Sequence, residues 1–96
     1  MDAAQEERRG EDARQVLDSY IYKEAYATIE ANILTAMANA NTTPEQGEYQ
    51  RKLLIALRKV RIYIEQVAVT GTMAAIAEER KRTFMERQVE RFTRRA

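Results

Sequence analysis

The stretch NANTTPEQ, Asn39–Gln46, decides how this 96-residue chain divides. Thr43 suits a helix N-cap, Pro44 the first helical position, and Gln46 the third, where its amide can return a hydrogen bond to the cap. Glu45 places a negative charge near the positive end of the helix dipole. Asn39 and Asn41 suit the end of a preceding helix. A stop followed so closely by a start joins two helices through a short turn, and helices joined this way usually lie antiparallel.

The segment before the turn is helical in pattern. From Asp12 to Ala40, Val16, Leu17, Tyr20, Ile21, Ala25, Ile29, Ile33 and Met37 recur at helical spacing. Asp18-Ser19 is a natural break, because both side chains compete for backbone hydrogen bonds and favour caps. Residues 1–11 have almost no apolar content and are interrupted by Gly10, which predicts a flexible acidic arm. The helix after the turn runs from Pro44 at least to Thr70. Gly71 costs about 1 kcal/mol inside a helix relative to Ala, but helix formers flank it, so continuity or a mild kink is expected.

Residues 12–77 are therefore read as a helical hairpin core and residues 78–96 as an amphipathic basic C-terminal helix. The fold class is all-α: an elongated antiparallel αα-hairpin with a long second helix and a helical C-terminal extension, forming an oligomer. With one Pro, three Gly and no sustained alternation of β-branched and polar residues, nothing argues for strands.

The long helix carries two apolar faces. Leu53, Leu57, Val60, Ile64, Val67, Gly71 and Ala74 alternate at spacings of four and three, a coiled-coil-like seam that would pack on the preceding helix. Ile55, Ile62, Val69 and Ile76 repeat every seven residues on the other side, with Met73 beside them. In the extension, Met85, Val89 and Phe92 form a third apolar stripe. A helix apolar on two sides calls for two partners, and these eight residues (Ile55, Ile62, Val69, Met73, Ile76, Met85, Val89 and Phe92) are the candidate interface.

Composition narrows the chemistry. The chain has no Cys and no His, which removes disulfides, thiolate sites and the commonest general base and metal ligand. No Gly-rich phosphate loop, HExxH motif or nucleophile elbow occurs. The expectation is a non-enzyme with no catalytic residue, metal or cofactor. The polar start lacks the apolar stretch of a signal peptide, and no apolar run of about 18 residues suggests a membrane span.

The net charge of +1 is unevenly spread. Residues 1–18 carry six acids against three bases, a net of −3, whereas residues 78–96 carry seven bases against four acids, a net of +3. Arg51, Arg58, Lys59, Arg94 and Arg95 are candidate nucleic-acid contacts. Interleaved carboxylates dilute the basic excess, so nucleic acid is a secondary expectation.

VLDSYIYKEAYATIE and LLIALRKVRIYIEQVAVTG resemble small proteins of tailed bacteriophages, encoded among the head and DNA-packaging genes. The resemblance rests on Leu17, Tyr22, Ala25, Tyr26, Ile29, Glu30, Gly71 and Ala74, within about residues 14–77. Ile33-Leu34 stand where such sequences carry a Trp. The resemblance implies a structural or capsid-assembly protein of a bacteriophage, located in the virion or the host cytoplasm. Such a protein would act through protein–protein interaction with itself and with a phage head or portal-region protein. A small oligomeric DNA-binding protein, either a packaging recognition subunit or a regulator, is the alternative. An inhibitor of a host protein is a third class.

Overall fold

The computed structural model describes residues 1–95, and the side chains of residues 1–94. Three α-helices account for nearly all of it: α1 Ala3–Asp18, α2 Tyr20–Ala38 and α3 Pro44–Arg95. The chain is all-α and elongated. Its extents are 82 × 24 × 19 Å and its radius of gyration is 22.3 Å, against about 12.5 Å for a compact domain of this length.

The expected flexible arm is helix instead. α1 starts at Ala3, not at Asp12, because Asp2 and Gln5 form a capping box. The Gln5 amide donates to Asp2 Oδ1 at 2.8 Å, and the Asp2 amide donates to Gln5 Oε1 at 3.1 Å. Gly10 lies inside the helix and is buried.

The break at Asp18-Ser19 is a single residue wide. Ser19 is extended (φ −62°, ψ 129°). Its N–H donates to the Val16 carbonyl at 3.1 Å, closing α1. Its hydroxyl accepts from the Tyr22 N–H at 3.4 Å, opening α2. One residue thus caps two helices, α1 through its backbone N–H and α2 through its side chain.

The turn after α2 is built from the stretch read first. Asn39 leaves the helix in extended conformation. The Thr42 hydroxyl donates to the Ala36 carbonyl at 2.6 Å, and the Asn41 N–H donates to Asn39 Oδ1 at 2.8 Å. Thr43 and Gln46 exchange the two bonds of a capping box, at 3.1 and 3.2 Å. Pro44 then opens α3.

α3 runs 52 residues without interruption, through Gly71 and through the boundary expected at residue 78. The C-terminal segment is therefore not a separate helix. Gly71 persists inside α3 because of what crosses it. A Cβ on Gly10 would lie 2.6 Å from the Gly71 Cα, and one on Gly71 would lie 2.5 Å from the Gly10 Cα and 2.9 Å from the Glu6 carbonyl oxygen. No glycine has positive φ, so the requirement is room between two backbones. Ala13, Ala68 and Ala74 are buried beside this crossing, completing a seam of small side chains.

Contacts along α3 order α1 and α2. Gly10 meets Gly71, Arg14 reaches the Ala68 carbonyl at 3.4 Å, and Glu30 pairs with Arg58 at 3.6 Å. Thr42 packs near Gly47. Later residues before the turn therefore meet earlier residues of α3.

The covered face of α3 differs in part from the expected seam. Leu57, Ile64, Val67, Gly71 and Ala74 are buried or half-buried as expected, but Val60 is 58% exposed and Leu53 lies at the rim. Leu54 and Ala68 are buried instead. Arg61 sits between Leu57 and Ile64, with its guanidinium 4.9 Å from the Tyr26 ring centre. In α2, Ile33 is buried while Tyr20 and Ile21 face solvent. The core is thin, and no large side chain among the described residues is fully buried.

Candidate helix-docking surfaces

The residues expected to carry contacts divide into two uncovered surfaces, both on α3. The first is Ile55, Ile62, Val69, Met73 and Ile76. All five are exposed, Ile62 at 50% and Val69 at 61%. Steps of seven along a helix keep this row on one side, beside the covered face, which it meets at Ile76, where Glu7 and Arg14 of α1 share a groove with it. The flanking side chains include Arg58, Lys59, Glu65 and Gln66, all exposed.

The second surface is the end of α3. Met85, Val89 and Phe92 are exposed, Phe92 at 80%, and Phe84 is exposed on the adjoining side. A shallow groove here is lined by Glu78, Lys81, Arg82, Met85, Glu86, Val89 and Glu90. Its position follows from the register of α3. Leu54, Leu57, Arg61, Ile64, Ala68, Gly71 and Ala75 follow one another at alternating steps of three and four along the covered face. The same alternation continues through Glu78, Arg82, Met85, Val89 and Phe92. The end of α3 is thus a prolongation of the packed face that has lost its cover. Glu7 of α1 lies beside Glu79 and Arg80, so the first turns of α1 mark where that cover stops.

The candidate nucleic-acid contacts are mostly engaged by carboxylates. Arg51 pairs with Glu48 at 2.9 Å, Arg58 with Glu30 at 3.6 Å, and Arg94 with Glu90 at 2.6 Å. The Arg51 hydrogen bond holds the Glu48 carboxyl below its ordinary value. Arg82 likewise bonds Glu79 within the tail. Lys59 is exposed with no carboxylate partner among the described residues. The side chain of Arg95 lies outside them.

Arg14, Gly10 and Tyr22 are the positions that sequence reasoning did not single out as a set. Arg14 reaches across to the Thr72 hydroxyl, which in turn donates to the Ala68 carbonyl at 3.1 Å. Tyr22 leans on Tyr26, with ring centres 6.2 Å apart. Its hydroxyl is buried without a protein partner among the described residues. Burial pushes the Tyr22 phenol up, and the nearby Arg61 charge offsets this in part. Two adjacent glycines in space leave no sequence signal, but the Asp2-x-x-Gln5 box that starts α1 does.

No group of three or more metal-ligating side chains converges among the described residues. None of their helices is long and apolar enough to cross a membrane. What the arrangement offers is apolar helix surface with charged borders. Comparison of the chain with families of known proteins, with curated proteins and with solved structures returned no match.

Proposed function

We propose that this chain is a non-enzymatic structural or assembly protein of a tailed bacteriophage. It acts through helix-mediated self-association and by docking on a capsid or portal-region protein, in the virion or the host cytoplasm. The supporting observation is uncovered surface. The chain exposes 7904 Å², whereas a compact protein of 11.1 kDa exposes about 5,700 Å². The excess, on the order of 2,000 Å², exceeds the roughly 800 Å² that one side of an ordinary protein interface covers. It includes the Ile55–Ile76 row and the apolar end of α3. The elongated αα-hairpin serves here as a rod presenting both surfaces. The phage assignment rests on the resemblance carried by Leu17, Tyr22, Ala25, Tyr26, Ile29, Glu30, Gly71 and Ala74.

Sedimentation equilibrium tests self-association, and a monomer at high micromolar concentration overturns it. Ile62→Glu is expected to abolish assembly beyond a basic pair, or docking on the head protein, while leaving helicity by circular dichroism unchanged. Loss of helicity would instead place the Ile62 row within the fold of the single chain. Detection of the chain in purified virions tests the phage assignment.

The second reading is a small oligomeric DNA-binding protein. The exposed Lys59 and the basic excess of residues 78–96 favour it. It requires a salt-sensitive gel shift that weakens on Lys59→Ala or Arg58→Ala.

A further inference from the structure

We propose that the end of α3, from about Glu78 onward, is the surface on which two copies of this chain pair, antiparallel to each other. The inference rests on the self-association proposed above and specifies which surface performs it.

Three observations point to a second copy. The first is register. The three-and-four alternation that α2 and α1 cover from Leu54 to Ala75 continues unbroken to Phe92, but none of the described residues of α1 or α2 lies over it there. Such a face is shaped for another helix, because knobs at this spacing fill holes on a facing helix. The second is charge. Residues 78–96 have a net charge of +3, and residues 1–18, whose α1 N-terminus sits where the uncovered groove begins, have −3. One copy carries both complements, so a second copy satisfies both at once. The third is symmetry, since one patch that packs on itself closes a pair without leaving a free end.

The charges also choose the direction. In antiparallel pairing centred on Met85, the two Met85 side chains meet, and Val89 and Phe92 of each copy lie over the start of the other's groove, near Lys81 and Glu78. The basic end of each tail, with Arg91 and Arg94, then arrives beside the acidic N-terminal end of the other copy's α1, with Asp2, Glu6 and Glu7. Parallel pairing would place Arg91 and Arg94 of the two copies side by side. It would also direct both α1 helices into the same space along the seam. Ile55, Ile62 and Val69 lie along α3 before this contact and remain available to a different partner.

The chain has no cysteine, so single thiols report the geometry directly. In the full chain, Val89→Glu is expected to weaken pairing about 100-fold or more, because it buries a charge in the seam. Ile62→Glu should remain a pair. Under mild oxidation, Met85→Cys, near the centre of the overlap, should form a disulfide-linked dimer, and Arg94→Cys should not. A wild-type monomer at high micromolar concentration would sink both this inference and the self-association on which it rests. If Val89→Glu stays paired while Ile62→Glu dissociates, the tail contact is wrong and self-association survives. An efficient Arg94→Cys dimer would overturn the antiparallel direction.

Discussion

Gly10 and Gly71 do for the packing of α1 what no larger pair could. Each backbone occupies the space that the other's Cβ would need. Gly10→Ala and Gly71→Ala should each destabilise the fold by about 1–2 kcal/mol, the cost of overpacking less the gain in helix propensity. Gly47→Ala serves as the control. Its Cβ would meet only the Thr42 methyl at 3.7 Å, so it should stabilise by about 0.5–1 kcal/mol. Urea denaturation of the three variants checks both signs. Tyr22 gives a different test. Its hydroxyl is buried without a protein partner among the described residues, so Tyr22→Phe should leave stability unchanged or raise it by up to about 1 kcal/mol. Burial raises its phenol above the ordinary 10.0. The neutral form therefore contributes stability that is complete below that value and is lost as pH rises through the folded value. Tyr22→Phe should remove that part of the alkaline loss, as read from thermal unfolding at pH 9 to 11 (about one unit either side of the ordinary phenol value). The glycine contact was not legible in the sequence because it joins positions 61 residues apart through the absence of side chains. Each glycine alone looked like a weakness in a helix.

Helix boundaries were the most legible feature, and the reason is local chemistry. Thr43, Pro44 and Gln46 act within one turn, so NANTTPEQ specified the start of α3 without any tertiary information. Ser19 did the same for the break between α1 and α2. Ser19→Ala removes the hydroxyl that opens α2 and should cost about 1 kcal/mol. Ser19→Gly should cost only a few tenths, and chemical denaturation of both variants separates the cap from the bend. The start of α1 was misread because apolar content was weighed above capping. The segment Asp2–Glu11 is polar, yet Asp2 and Gln5 close its first turn, and Gly10 and Ala13 dock it on α3 through small side chains. Hydrophobicity is a poor guide where two backbones meet closely, since little apolar side chain is present to be counted. The seam on α3 was legible in its period and only partly in its phase. Leu53 and Leu54 are adjacent and equally apolar. Which of them faces inward depends on Arg61 and Ala68, residues that an apolar count omits.

The chain as a body is a rod 82 Å long and 24 × 19 Å across, covered along only part of its length, and the two surfaces lie at different places along it. The Ile55–Ile76 row flanks the stretch covered by α1 and α2, and the Met85–Phe92 stripe extends beyond it. The row and the stripe were legible in the sequence as apolar periodicity, whereas the absence of any cover over them was not, because coverage depends on where α1 ends. α3 also behaves as a ruler. Because it continues without a break from Pro44 to Arg95, each residue added within it advances the far end by about 1.5 Å and turns it by roughly 100°. Seven added residues would lengthen the rod by about two turns and nearly restore the heading of Met85, Val89 and Phe92. Two added residues would swing those side chains toward the opposite side. The uninterrupted helix therefore ties reach to aim, and changes in length are tolerated only in steps that keep the tail pointing the way it does now.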